Sequence, residues 1–284
     1  MITLMRLKQE LRLSEDLGDI IDVLKSAALI QFRLFQLKDK PSSDFLKELE
    51  ACFKVFSRRS IMHHPYFTDR QELPTAIVVI TSDEGFLGEL NTLLINACLD
   101  RRRSSNDEII VLGERGARYF NEVKEKFVAF PGITDEVSLK EIENLRNYLL
   151  KGYYHRFGRI LIFYPEFLSL TAQRVTLFQL LPYLGLTEQV ITVPKEEDIL
   201  TEPSFNRVLD ALIKFWLASK LLHIFWSTKL SEFSARIMHL EGSTQELAHL
   251  NHRLAFDYFR NVHALNDKTI REISASKVLL GKNS

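Results

Sequence analysis

The last eighty or so residues contain almost nothing that would stop a helix. No proline follows Pro203, and Gly242 is the only glycine before Gly281. A single helix over residues 204–280 would be about 115 Å long at roughly 1.5 Å per residue, too long for the interior of a compact domain. Mostly apolar residues recur within it in alternating steps of three and four, the spacing of a coiled-coil seam. They are Leu230, Phe233, Ile237, Leu240, Thr244, Leu247, Asn251, Leu254 and Tyr258.

A second helix near the N-terminus is the predicted partner of this seam. Its apolar stripe begins with Leu4, Leu7 and Leu11 and extends to Pro41, where we expect the helix to break. Because the chain between the two helices must leave one and return to the other, we expect an antiparallel pair in which the longer second helix protrudes. The stripe continues through Leu17, Ile21, Leu24, Ala28, Gln31 and Phe35.

The segment between the helices alternates apolar runs with amphipathic stretches. This pattern predicts strands at 76–81, 109–112 and 159–164, helices at 86–103, 114–126 and 139–151, and edge strands at 175–181 and 190–193. The fold class is therefore α/β, a Rossmann-like domain inserted into a long antiparallel two-helix coiled coil. We place the N-terminal coiled-coil helix at 1–60, the α/β domain at 74–203 and the C-terminal coiled-coil helix at 204–280.

Composition limits the partners and the compartment. Lys plus Arg equals Asp plus Glu at 37 each, so no overall field attracts nucleic acid or an anionic membrane. Two cysteines indicate a reducing compartment and argue against a disulfide framework or a thiolate zinc site. No apolar run reaches the roughly 18 residues of a spanning helix, and the N-terminus lacks a signal-peptide core. We expect a protein of the cytosol, or of the cytosolic side of a membrane, without direct membrane insertion.

The best candidate for chemistry is the glycine-bearing turn after the first strand, residues 81–91. It lacks the G-x-G-x-x-G spacing and a phosphate-binding Lys-Ser/Thr pair, and its carboxylates would repel an anion. We expect a tight turn in which Ser82 or Asp83 caps the next helix. His249 and His252 share a helix face but have no third metal ligand at a suitable spacing. The residues therefore predict no catalytic, cofactor-binding or metal-binding group.

Several motifs occur in one order along the whole chain. Residues 80–85 (ITSDEG) lead to residues 88–91 (GELN), and residues 180–182 (LLP), 202–203 (EP) and 231–238 (SEFSARIM) follow. This order resembles the gamma subunit of rotary (F-type) ATP synthases, whose loop reads approximately TSDRGLCGGLN and whose later motifs are LLP, EP and SEHAARM. Tyr258 and Glu272-Ile273 fall at its further YN and EI landmarks. Each motif alone is weak, but their shared order is specific.

The resemblance implies a non-catalytic rotor without a cofactor. The paired helices would form a shaft inside a ring of three alpha and three beta subunits, and the α/β domain would sit on an epsilon subunit and the membrane rotor ring. Rotation would couple ion flow to ATP synthesis or hydrolysis, at the cytoplasmic side of the inner or plasma membrane. The C-terminal tip, residues 274–280, would turn in an apolar sleeve. The interaction positions that the resemblance implies are Ser82, Asp83, Gly85, Gly88, Asn91, Glu202, Val262, His263, Asn266, Asp267 and Glu272.

The chain also departs from the family pattern. The family's basic KIT segment falls on Asp19-Ile20-Ile21, its RQ pair on Val262-His263 and its IT pair on Asn266-Asp267. Losing the arginine and glutamine removes directional hydrogen bonds to a beta-subunit loop. We therefore expect a divergent gamma subunit or a gamma-like paralog of a specialised rotary ATPase. Two alternatives stay open: a free-standing coiled-coil adaptor, and a small-molecule enzyme with a pocket near residues 82–91.

Overall fold

The computed structural model describes residues 4–56, 65–102, 104–183, 202 and 204–280. This part of the chain divides into two compact units, Met1–Ala27 with His239–Ser284, and Ala28–Met238. Its helices and strands are α1 (Leu4–Phe56), β1 (Thr75–Ile80), α2 (Leu90–Arg101), β2 (Glu108–Leu112), α3 (Glu114–Glu122), β3 (Phe127–Phe130), α4 (Leu139–His155), β4 (Arg159–Ser169), β5 (Ala172–Leu181) and α5 (Phe205–Leu280).

Both terminal helices are uninterrupted. The prediction of one long C-terminal helix is confirmed, since α5 runs over 76 residues. The predicted break at Pro41 is wrong, because α1 continues through it to Phe56. An interior proline costs a helix roughly 3 kcal/mol. Contacts beyond the proline offset that cost: Leu46 and Leu49 are buried, and the Trp216 indole N–H donates to Glu50 at 3.2 Å.

The inserted sheet has the strand order β3-β2-β1-β4-β5. The first four strands are parallel, and β5 pairs antiparallel with β4. The three predicted core strands and the edge strand near 175–181 are confirmed. Strand β3 was not predicted, because FVAF is short and only partly buried. Strand β4 extends past Tyr164 because its last residues pair with β5 alone. The predicted strand at 190–193 lies outside the described residues.

Alternate residues of each central strand face opposite sides of the sheet. On one face, Val78 and Ile110 pack with α4, with α5 and with Leu46 of α1. On the other, Val79 and Val111 pack with α2 and α3. Both faces of the parallel strands are therefore covered, as in a Rossmann-like domain.

Backbone conformation corrects two predicted helix ends. Helix α2 begins at Leu90, not at residue 86, because Phe86 and Gly88 have φ of 64° and 57°. Helix α3 ends at Glu122, not at residue 126, because Lys124 has a φ of 56°. Left-handed residues cannot belong to a right-handed helix. Helix α4, in contrast, continues four residues past its predicted end at residue 151, to His155.

The seam of α5 is confirmed and that of α1 is partly wrong. Leu230, Phe233, Ile237 and Leu240 are buried, and the later seam residues are half-buried. On α1, Leu17 and Leu24 are 44% and 37% exposed, and Phe32 is buried where Gln31 was expected. Gly18 and Lys25 occupy the inward positions in place of Leu17 and Leu24, and Ser14 is a further buried residue of this face.

The two helices are antiparallel in each unit. In the first unit, Gly18 faces Leu247 and the Lys25 ammonium lies 3.2 Å from the Glu241 carboxylate. In the second, the rings of Phe35 and Phe233 lie 5.5 Å apart, and further along α1 Glu50 accepts from the Trp216 indole. The residue numbers rise along one helix as they fall along the other. None of the described helices has the length and apolar content of a membrane span.

Candidate functional site

Ser82 and Asn91 close the loop that follows β1. The Ser82 backbone N–H donates to Asn91 Oδ1 at 3.2 Å, and Asn91 Nδ2 donates to Ser82 Oγ at 2.9 Å. The Ser82 hydroxyl donates in turn to the Glu84 carbonyl at 2.7 Å. Ser82 is 2% exposed, so its polar atoms are satisfied within the loop.

Asp83 caps α3 and not α2, which corrects the capping prediction. Its Oδ1 accepts a hydrogen bond from the Glu114 backbone N–H at 2.9 Å, at the first residue of α3. The helix α2 has Glu89 at its N-cap and no side-chain cap. A carboxylate thus already occupies the position where a helix N-terminus would bind an anion.

Gly85, Gly88 and Gly113 allow this loop and the next to adopt their conformation. Gly113 has a φ of 94°, and a Cβ there would lie 2.2 Å from the Thr81 carbonyl oxygen. A Cβ on Gly85 would lie 2.7 Å from an Arg115 guanidinium nitrogen. Gly88, with its φ of 57°, lies in the left-handed region that glycine adopts at no steric cost.

Residues 227–236 of α5 dock on the β4–β5 hairpin through serine hydroxyls. The Phe167 backbone N–H donates to Ser227 Oγ at 3.1 Å, and Ser231 Oγ donates to the Pro165 carbonyl at 2.9 Å. The Gln173 amide donates to Ser234 Oγ at 3.0 Å. These serines are almost fully buried. Hydrogen bonds at three successive turns of α5 fix its position along the sheet.

The same stretch of α5 carries buried charges. The Lys229 ammonium lies 3.1 Å from Glu232 Oε2 and 3.2 Å from Asp135 Oδ1. The Arg236 guanidinium lies 2.9 Å from Glu84 Oε2. Burial alone would lower the pKa of Lys229, yet the attraction of Glu232 and Asp135 raises the pKa above its usual range. Lys229 is therefore held as a cation.

Sequence reasoning recognised part of this cluster and missed the rest. Glu232 and Arg236 belong to the motif at 231–238, but neither was predicted as a site residue. Lys229 and Asp135 were not identified at all. The available signal was a lysine and a glutamate three residues apart on a helix face otherwise made of apolar and small residues. Asp135 carries no such signal, because only the tertiary fold brings it to α5.

Helix α5 occupies the crevice where doubly wound domains bind ligands. That crevice lies outside the carboxyl ends of the strands where the strand order reverses, here β1 and β4. Arg236 contacts the loop after β1, and Ser231 contacts Pro165 in β4. The polar groups near residues 82–91 thus bind one another, α3 and α5.

Comparison with known proteins agrees with this arrangement. The sequence profile of the family described as ATP synthase matches residues 3–275. Similar proteins include the ATP synthase gamma chain of Opitutus terrae, 25% identical over 251 residues that cover 84% of each chain. The chain belongs to the ATP synthase gamma-chain family. The gamma chain of Dictyoglomus turgidum is 22% identical and aligns over 97% of both proteins.

Solved ATP synthase structures share the fold of this family member. One is the rotor of the Euglena gracilis mitochondrial ATP synthase, with a TM-score of 0.69, 18% identity, and coverage of 92% of this chain and 98% of that chain. Another is the central stalk and c-ring of the Tetrahymena thermophila mitochondrial ATP synthase, with a TM-score of 0.59, 16% identity, and coverage of 79% and 99%. The predicted fold of this gamma-family chain, a coiled coil with a Rossmann-like insert, is confirmed.

The remaining predicted site residues of this gamma-family chain are not part of the loop after β1. Glu202 is exposed and lines, with Arg207 and Phe215, a depression of about 400 Å³ beside the start of α5. In the other unit, Val262 is half-buried and every residue from 263 to 276 is exposed. That stretch contains the other predicted positions, His263, Asn266, Asp267 and Glu272. Within the unit that contains the sheet, the structure brings together Ser82, Asp83, Gly85, Gly88 and Asn91 in one loop.

The histidines in the described part of the chain do not form a metal-binding site. His249 and His252 are exposed on α5. Within the described ranges, no three His, Cys, Asp or Glu side chains converge as metal ligands would.

Proposed function

We propose that this chain is the central-stalk rotor subunit of a rotary ATP synthase or ATPase and contributes no catalytic residue of its own. Family membership makes it a component of an enzyme complex. As a rotor, it couples ion flow through a membrane rotor ring to ATP synthesis or hydrolysis in an alpha/beta ring. Its partners are the alpha-like and beta-like subunits, an epsilon-like subunit and the rotor ring.

The position of α5 on the α/β domain is the main support for a rotor role. The crevice that would hold a ligand in a doubly wound domain is filled by residues 227–236 of α5, the helix that also forms the coiled-coil seam. Because α5 fills the crevice, the α/β domain is suited to holding that helix and not to binding a substrate for catalysis. This arrangement supports a mechanical role and weighs against a small-molecule enzyme.

The predicted interaction residues take roles that follow from their positions. The free end of α5 enters the alpha/beta ring, where Val262 and His263 face a beta-like loop and Asn266, Asp267 and Glu272 lie further along the same helix. Glu202 contacts the rotor ring. The loop containing Ser82, Asp83, Gly85, Gly88 and Asn91 attaches the α/β domain to α5.

The complex lies at the cytoplasmic side of the inner or plasma membrane, and this chain is peripheral to it. The departures from the family pattern favour a divergent gamma chain whose alpha/beta ring has changed with it. They are Asp19 in place of a basic residue and Val262-His263 in place of Arg-Gln. A specialised rotary ATPase fits these departures better than the housekeeping synthase does.

Purification of the tagged chain from its own host tests the proposal directly. We expect alpha-like, beta-like and epsilon-like subunits to co-purify in ring stoichiometry and the complex to hydrolyse ATP. The same tag on an unrelated coiled-coil protein is the control. Recovery of the chain alone, or with a single helical partner, would contradict the rotor role and favour a free-standing adaptor.

A further inference from the structure

Two cations of α5 are nearly buried and reach different loops of the α/β domain. The Lys229 and Arg236 side chains are 10% and 11% exposed. Lys229 contacts Asp135 in the loop between β3 and α4, and Arg236 contacts Glu84 in the loop between β1 and α2. Arg236 Nε also lies 3.4 Å from the Gly85 carbonyl oxygen.

Glu232 lies between these cations along α5. Its side chain is 5% exposed and 3.1 Å from Lys229. Burial raises the pKa of Glu232, although the Lys229 and Arg236 cations oppose this. The guanidinium of Arg236 and the ammonium of Lys229 each lie 5.5 Å from the Phe233 ring centre. We name Glu84, Asp135, Lys229, Glu232 and Arg236 the charge clasp.

A cluster of this kind adds little net stability. Removing Lys229, Glu232 and Arg236 from water costs about as much as their attraction returns, and pairs with the exposed Glu84 and Asp135 contribute little. Its advantage is directional, because an apolar contact slides at low cost whereas a buried cation holds one carboxylate in one register. Lys229 and Arg236 are seven residues apart, so they lie on one side of α5 at points about 10 Å apart along its axis.

We propose that Lys229 and Arg236 are positioning residues that lock the α/β domain onto α5, so that the domain and the helix turn as one body. The proposal rests on the proposed rotor function. Torque entering through the α/β domain acts to twist it about the helix axis. The contacts of Lys229 and Arg236 are separated along that axis, so together they resist both rotation and sliding of the domain. The serine contacts with the β4–β5 hairpin resist these movements at one side of the helix only.

The pair of Glu84 and Arg236 allows a charge-swap test. Glu84 is 72% exposed, so Glu84→Arg places a cation against Arg236 without disturbing the core. In the full-length chain, we expect amide exchange in residues 82–90 to become about tenfold faster in Glu84→Arg and in Arg236→Glu. The double variant Glu84→Arg/Arg236→Glu should exchange more slowly than Arg236→Glu alone, because opposite charges meet again, although the carboxylate at position 236 now lies one turn from Glu232. Asp44→Arg, which breaks the exposed Asp44–Lys47 pair, is the control and should leave this exchange unchanged.

The assembled complex gives a second measurement. We expect Glu84→Arg to lower the number of ions pumped per ATP hydrolysed by about half or more while hydrolysis continues, and the double variant to recover that ratio. If Glu84 and Arg236 only stabilised the fold, Glu84→Arg would lower ATP hydrolysis and ion pumping together. The proposal is contradicted if Glu84→Arg exchanges and pumps as the wild type does. It is also contradicted if the double variant exchanges as fast as Arg236→Glu alone. Amide exchange is measured on the chain itself and does not depend on the complex. A wild-type complex that does not pump would therefore contradict the rotor function, and the exchange rates would still test the charge clasp.

Discussion

At the scale of single residues, the Asp69–Arg159 pair anchors the first residue of β4. Arg159 Nε donates to Asp69 Oδ1 at 2.8 Å, and Arg159 Nη2 donates to the second carboxylate oxygen. The hydrogen bonds from Arg159 hold the pKa of Asp69 below its usual range, although partial burial opposes them. Two parallel bonds of this kind hold the carboxylate in one orientation.

This pair predicts a pH-dependent stability difference. Because the folded-state pKa of Asp69 is lowered, its stabilisation is complete above the unfolded value of about 3.9 and is lost as the pH falls through the folded-state value. We expect Asp69→Asn to lower the free energy of unfolding by about 1 kcal/mol at pH 7. The gap from the wild type should shrink steadily below about pH 4. Chemical unfolding followed by circular dichroism across this pH range measures it, and a gap unchanged at acidic pH would refute the assignment.

Two glycines should respond oppositely to alanine. Gly242 lies within α5 and a Cβ there would contact nothing within 4 Å, so Gly242→Ala should stabilise the chain by about 0.5–1 kcal/mol. Gly113 has a φ of 94°, and a Cβ would lie 2.2 Å from the Thr81 carbonyl oxygen. We expect Gly113→Ala to destabilise by more than about 1 kcal/mol. Thermal unfolding of both variants tests this pair, and a shift of the same sign in both would show that the Gly113 turn is misplaced.

At the scale of elements, the α1 face toward α5 combines large apolar residues with small and charged ones. Leu7 and Ser14 are 3% and 4% exposed, and Gly18 allows Leu247 to approach closely. Lys25 lies between Asp22 and Glu241, and its hydrogen bonds to these carboxylates raise its pKa. A charged pair beside an otherwise apolar seam favours one register of the two helices over others.

The seam predicts unequal effects of two substitutions. Leu240 is 1% exposed, so Leu240→Asp would bury an unpaired charge and should destabilise by a few kcal/mol. Asp19 is exposed on α1, and Asp19→Ala should change stability by less than about 0.5 kcal/mol. Denaturant unfolding of both variants compares them. Equal losses would mean that the buried face of the hairpin is assigned to the wrong residues.

At the scale of the whole molecule, the end of α5 carries apolar side chains in contact with solvent. Phe259, Leu265, Ile270 and Ile273 are each about half exposed or more. We expect the isolated chain to self-associate and to become soluble and monodisperse when co-expressed with alpha-like and beta-like subunits. Light scattering of both preparations tests this. A stable monomer of the chain alone would show that this surface needs no ring.

The segment around Val262 and His263 is the place to test contact with the ring. If it faces a beta-like loop without the family's arginine and glutamine, torque passes there through shape and apolar packing. We expect Val262→Arg with His263→Gln to alter ATPase activity in the assembled complex far more than it alters the stability of the isolated chain.

Charge reversal at these two positions separates ring contact from a general charge effect. Replacing both with Asp should impair coupling more than Arg101→Asp, a change on the α/β domain. ATP-driven pumping by the reconstituted complex measures coupling. If the double Asp variant hydrolyses ATP and pumps normally, this end of α5 does not face the ring.

Much of the architecture was predictable because it depends on local periodicity. The long α5, its seam and the three core strands follow from apolar spacing that any tertiary context must bury. The family was identifiable from motif order. The domain limits at 60, 74 and 203 and the roles of the site residues stay predictions. The α1 register was misassigned because leucines outweigh serine and glycine in a hydrophobic pattern, although Ser14 and Gly18 face the partner helix.

The sequence by itself determined the two long helices, the inserted α/β domain and the absence of an overall charge that would attract nucleic acid. Those properties are sums or repeats over nearby residues. Only the tertiary structure decided that α1 passes through Pro41, that Asp83 caps α3, and that Asp135 and Glu84 meet α5. The physical reason is that each of these contacts joins residues far apart in the chain. Their free energy depends on distance and burial in the folded protein, which no local pattern encodes.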